Sequence, residues 1–126
     1  MNIPFSKITL GEEEIEAVAG VIRSGWVVMG EKTRQFEEEF AKYVGARYAV
    51  FVDSGTSALD LAVKYAKMVW GFSGFWVPSL TFTATAEVIV NNGLRLAWID
   101  VDRETFCVKS PYVQTIQVHL AGRKAD

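Results

Sequence analysis

The residues Val50-Phe51-Val52-Asp53-Ser54-Gly55-Thr56-Ser57-Ala58-Leu59 restrict the fold more than any other part of this chain. An apolar run breaks into small polar residues, and helical spacing then begins at Ala58, Leu59, Ala62, Val63 and Ala66. That is the pattern of a strand passing through a tight turn into a helix. Such a turn leaves free backbone N–H groups beside the positive end of the helix dipole, where an anion can sit. Gly55, Thr56 and Ser57 are therefore candidate phosphate-binding residues. Small hydroxyl residues also make ordinary helix caps, and spacing alone does not separate the two readings. A nucleotide P-loop and a dinucleotide fingerprint are both excluded, because neither G-x-x-x-x-G-K-[ST] nor G-x-G-x-x-G follows the strand.

The rest of the chain alternates helices and strands around that turn. Thr9-Leu10-Gly11-Glu12 has capping-box spacing, and Ile15, Val18, Ala19 and Ile22 continue at helical period until Ser24-Gly25. Trp26 to Gly30 reads as an apolar linker. A second helix carries Phe36, Phe40, Tyr43 and Val44 on one stripe and closes at Gly45. Arg47 to Val52 reads as a strand covered on both faces. After the third helix, a strand ends at Pro78, Ser79 to Phe82 form a loop, and Thr83 to Asn92 form a helix. Leu94 to Ile99 and Val113 to Leu120 read as further strands. The βαβαβ order predicts an α/β domain with a mainly parallel sheet, whose ligands lie outside the carboxyl ends of the strands. Gly55-Thr56, Ser79 to Phe82 and Asp100 to Asp102 would gather at that edge.

Length and composition set the remaining bounds. With 126 residues, half of them apolar, the chain suits one domain, residues 1–126. Thirteen basic and 15 acidic residues, scattered to a net charge of −2, predict neither a nucleic-acid nor a membrane partner. Lys64 and Lys67 interrupt the most apolar region, so no run reaches the roughly 18 residues of a span. The N-terminus lacks a secretory pattern, and Cys107 has no disulfide partner, so a cytoplasmic protein is expected. One histidine and one cysteine leave no metal site. His119 reads first as a hydrogen-bonded structural residue. A Ser-His-Asp triad lacks its G-x-S-x-G signature. Phe82 could present its ring to a planar ligand or simply fill a core.

Taken together, Gly11-Glu12-Glu13-Glu14-Ile15, Ser24-Gly25-Trp26, Phe36-Glu37-Glu38-Glu39-Phe40-Ala41, Ser54-Gly55-Thr56-Ser57-Ala58-Leu59, Val77-Pro78-Ser79-Leu80-Thr81-Phe82, Asp100-Val101-Asp102 and Val118-His119-Leu120-Ala121-Gly122 form an ordered series. The series resembles the DegT/DnrJ/EryC1/StrS family of pyridoxal-phosphate-dependent aminotransferases, which act mostly on nucleotide-linked keto sugars. The resemblance runs from about Ile3 to Asp126. It implies a partial fold type I aminotransferase large domain, three-layer α/β/α with a mainly parallel sheet. It also implies that Gly55, Thr56 and Ser57 hold the phosphate of pyridoxal phosphate and that Phe82 stacks on its pyridine ring. Ser24, Gly25 and Trp26 would lie near the active site and dimer contacts.

Transamination further requires a Schiff-base lysine and an acid on the pyridine nitrogen. The resemblance places both beyond the Val-His-Leu-x-Gly motif, so no catalytic residue is expected among those given. Lys124 and Asp126 match its linker instead. The chain thus resembles the N-terminal third of such an enzyme. Cofactor binding would be non-covalent, a sugar would be the small-molecule substrate, and the expected partner is a homodimer or a companion chain, the latter supplying the lysine. A noncatalytic module for dimerisation or phosphate-ligand binding is the alternative. Asp53 stands immediately before the turn, where its carboxylate would repel a phosphate dianion unless it turns away. The connection from Phe106 to Val118 is also shorter than the family's usual helix-containing one.

Overall fold

The computed structural model describes residues 7–109 and 112–125. The chain divides into two compact units, 1–51 and 52–126, and each is described by itself.

The first unit contains helices α1 (Glu12–Ser24) and α2 (Glu31–Val44). The start of α1 differs from the Thr9–Glu12 capping-box reading. Gly11 is the cap residue, and the Glu14 carboxylate reaches back to accept its N–H at 2.7 Å. This contact holds the Glu14 carboxyl below its ordinary range. Both helices end where glycine adopts a left-handed conformation, at Gly25 and Gly45, as the sequence signals. The stripe on α2 closes through rings: Phe36 stacks on Phe40 and meets Phe51 edge-on. Among the described residues α1 and α2 do not pack on each other, and Ile15, Val18 and Ile22 stay exposed.

The expected strand over 47–52 does not form among the described residues. A strand exists only through its ladder, and here the Phe51 N–H donates instead to the Glu37 carboxylate at 2.7 Å. Tyr48 and Val50 are exposed rather than sandwiched.

The second unit runs α3 (Gly55–Trp70), β1 (Gly74–Pro78), α4 (Thr83–Asn91) and β2 (Arg95–Ile99). β1 and β2 pair in parallel, from Gly74 opposite Arg95 to Pro78 opposite Ile99. The expected strand over 113–120 reduces to one rung. Thr115 bridges Trp76 in parallel, with the Trp76 N–H donating to Gln114 and the Ile116 N–H to Trp76. Beyond it, Leu120–Gly122 is a short 3-10 turn in which Ala121 has positive φ, which ends any extended run. Both helices pack on one another, and α4 also packs on the two strands. Their core is Val63, Val77, Val88, Ile89 and Leu94, flanked by Leu59, Phe75, Leu96 and Ile116.

One glycine in this unit is required by space. A Cβ on Gly74 would strike the Arg95 carbonyl oxygen, and would lie 2.9 Å from the Arg95 Cβ. We expect Gly74→Ala to cost about 1–3 kcal/mol in urea unfolding. Gly20→Ala, within α1 with open space around it, should be neutral or stabilising by roughly 0.5–1 kcal/mol. Equal losses at the two positions would refute the close strand approach. No helix among the described residues is long and apolar enough to cross a membrane.

Candidate functional site

The turn before α3 is built by Ser54. Its backbone is extended, and its Oγ accepts the Ser57 N–H at 3.2 Å while donating to the Ser57 Oγ at 3.1 Å. Ser54 is the residue that sequence reasoning passed over; its place three residues before Ser57 at a helix start was the available signal. The cap alters one detail of the expected phosphate seat. The Ser57 N–H is already held, so Ser57 offers its hydroxyl proton rather than its backbone. The Gly55 and Thr56 N–H groups and the Thr56 hydroxyl donate to no acceptor among the described residues. No atom lies within 4 Å of a Cβ built on Gly55, so the approach to these donors is open. A 16-residue helix directs its dipole at the same point. Asp53, beside the turn, is exposed.

Phe82 is the cap residue of α4, with 76% of its surface exposed. The core-aromatic reading is therefore not met. Its carbonyl accepts the Thr85 N–H at 3.0 Å, and the Thr81 hydroxyl donates to that of buried Thr85 at 2.9 Å, which fixes the loop below the ring. Chain direction brings Phe82 to the same edge as the α3 turn. α3 ends at Trp70 and enters β1 through Gly71 to Ser73, so its N-terminus lies toward the carboxyl end of β1. α4 leaves that carboxyl end and runs back to feed β2. The Ser79 N–H donates to the Ile99 carbonyl at 2.9 Å, so Ser79 to Phe82 and Asp100 to Asp102 share the edge too. Among the described residues no hydrogen bond joins Phe82 to Gly55, Thr56 or Ser57.

The remaining candidates make local hydrogen bonds. Asp102 accepts the N–H groups of Glu104 and Thr105, each at 2.9 Å, and the Thr105 hydroxyl at 3.1 Å. The Thr105 and Glu104 amides hold its carboxyl below the ordinary range, with Thr105 first. The His119 Nδ1 accepts the Ala125 N–H at 2.9 Å. In the first unit, the Ser24 Oγ donates to the Val21 carbonyl and accepts the Trp26 N–H, and the Trp26 indole N–H donates to Met29. Among the described residues no cluster of three metal-ligating side chains occurs.

This architecture, a βαβ layer whose preceding helix opens its N-terminus at the carboxyl edge of the sheet, is part of the α/β fold of fold type I pyridoxal-phosphate enzymes. A putative sugar aminotransferase of Streptococcus pneumoniae, Spr1654, solved in its PMP form, superposes with a TM-score of 0.85 at 32% identity. That match covers 100% of this chain and 34% of the other. The chain belongs to the DegT/DnrJ/EryC1/StrS aminotransferase family, whose model matches residues 8–126. It is also 35% identical to the spore coat polysaccharide biosynthesis protein SpsC of Bacillus subtilis, over 98% of this chain and 34% of that protein. The E. coli GDP-4-keto-6-deoxy-D-mannose-3-dehydratase, with bound hydrated PLP, superposes at TM-score 0.79 and 29% identity, covering 86% of this chain and 29% of that one. The chain therefore spans about a third of the length of these relatives.

Proposed function

We propose that this chain supplies the cofactor-phosphate seat and the ring-stacking aromatic of a pyridoxal-phosphate-dependent nucleotide-sugar aminotransferase, with the Schiff-base lysine coming from outside these residues. The observation that carries this reading is the uncapped part of the α3 N-terminus. Among the described residues the Gly55 N–H, the Thr56 N–H and the Thr56 hydroxyl have no acceptor, Gly55 and Thr56 are exposed, and the same edge bears exposed Phe82. Such donors fit a phosphate dianion, and the helix dipole adds to the attraction. The Ser57 hydroxyl, already accepting from Ser54, can turn its proton to the same anion. Phe82 would cover one face of a planar ring and exclude water from it. When bound, pyridoxal phosphate supplies an electron sink for amine transfer. A companion chain would bring the lysine and the sugar-binding groups.

The experiment is an absorbance titration of the full chain with pyridoxal phosphate, pyridoxal and inorganic phosphate, followed by borohydride reduction and peptide mapping. We expect pyridoxal phosphate to bind, inorganic phosphate to displace it, and reduction to leave no adduct at one defined lysine. Equal affinity for pyridoxal would refute the phosphate seat. A stoichiometric adduct at one lysine, or amine transfer by this chain alone, would refute the need for an external lysine.

A further inference from the structure

We infer that Asp60 is a positioning residue: its contact with Asn92 fixes how far α4 slides along α3, and so sets the height of Phe82 relative to the Gly55–Ser57 turn. The consequence for a ligand rests on the cofactor reading above, whereas the register itself does not.

The two helices meet through Val63 on one side and Val88 and Ile89 on the other. Contacts of this kind are not directional and leave axial sliding poorly determined. Hydrogen bonds with defined geometry determine it. The Asn92 Nδ2 donates to the Asp60 Oδ1 at 2.7 Å and to the Val88 carbonyl of its own helix at 2.6 Å. The other Asp60 oxygen accepts from the Lys64 Nζ at 2.6 Å, so both carboxylate oxygens are engaged and the side chain is held in one direction. Lys67 adds a second tie, donating to the Asn92 carbonyl at 2.7 Å, through a longer and exposed side chain. Lys64 first, and then Asn92, hold the Asp60 carboxyl below its ordinary range.

Asn92 sits at the far end of α4 from Phe82. At about 1.5 Å per residue, Asp60 lies roughly 7.5 Å along α3 from Gly55, and Asn92 roughly 15 Å along α4 from Phe82. The contact therefore pins two lever arms that end in the two halves of the candidate site. A slide of even about 1 Å would offset a stacked ring from its anchored phosphate.

The test uses the full chain and two readouts. The first is the NMR signals of the Gly55 and Thr56 amides and the Phe82 ring, recorded without ligand. The second is the affinity and induced circular dichroism of pyridoxal phosphate. Asp60→Ala should shift the Phe82 ring signals and weaken cofactor binding by about five- to tenfold. Asp60→Asn keeps an oxygen for the Asn92 amide while losing the Lys64 ion pair. It should retain the wild-type Phe82 signals and bind within about twofold of wild type. If Asp60→Ala does not fold, Asn92→Ala removes the same contact from the other helix and is read in the same way. Wild-type Phe82 signals in the alanine variants, or an Asp60→Asn shift as large as theirs, would overturn the inference. Shifted signals in a chain whose wild type binds no pyridoxal phosphate would uphold the register and refute only the cofactor reading.

Discussion

Ile89→Ala is expected to lower the stability of the second unit by about 2–5 kcal/mol, a large share of the roughly 5–15 kcal/mol that typically separates native from unfolded states. Ile89 is fully buried against Val63, Val77, Val88 and Leu94, on the face of α4 that covers the strands. Removing three carbons there loses the apolar transfer and leaves a void lined by residues anchored in two helices and a strand, which collapse only partly. Its neighbour Val90 points the other way and is 57% exposed. Val90→Ala should change stability by less than about 0.5 kcal/mol. Urea unfolding followed by far-ultraviolet circular dichroism checks both, with unchanged slopes and a shifted midpoint for Ile89→Ala alone. Comparable losses at the two positions would show that the buried face of α4 is wrongly assigned.

Thr56→Glu should abolish specific binding of pyridoxal phosphate, with a loss on the order of 100-fold or more. The substitution replaces a hydroxyl donor with an anion beside the seat, so a charge-assisted hydrogen bond becomes a repulsion. It should not harm folding, because Thr56 is exposed and an acidic side chain in the first turn favours the helix dipole. That opposition makes the variant informative: the helix should melt no earlier while the ligand is lost. Phe82→Ala, at another exposed position, should weaken binding by about 1 kcal/mol without moving the competition by inorganic phosphate. Wild-type affinity in Thr56→Glu would place the cofactor phosphate elsewhere.

The helices were legible because each carries its own period and, except for α3, whose end the glycines among bulky residues 68–77 left open, its own stop. Gly25, Gly45 and Gly71 all occupy the left-handed region that ends a helix cheaply for glycine alone. β1 was legible only at its end, Pro78, because two glycines among bulky residues blur its start, and β2 was legible as a short apolar run between Gly93 and Asp100. The 47–52 segment has the same composition, yet composition specifies only a tendency. Its ladder depends on a partner, and the Glu37 carboxylate takes the Phe51 amide instead. The Val113 to Leu120 run differs, since among the described residues it forms a bridge at Thr115 rather than a strand before the backbone turns at Ala121.

At the site, Gly55, Thr56 and Phe82 could be named from local pattern because a strand-to-helix turn and a polar loop after a strand are local events. The capping of Ser57 by Ser54 was also local and could have been read. The Asp60–Asn92 contact could not, because 32 residues separate the partners and nothing in either neighbourhood marks the other.

The uneven pairing of β1 also bears on the order in which the second unit assembles. Its ladder with β2 spans Gly74 to Ile99 and closes over α4, so the pairing is made between segments close in the chain. Such contacts require little loop closure and form early. The single rung on the other side joins Trp76 to Thr115, across a longer stretch that includes the Asp102 turn. Residues 114–116, which join the sheet across the larger separation in sequence, should therefore pair after the β1–β2 ladder has formed.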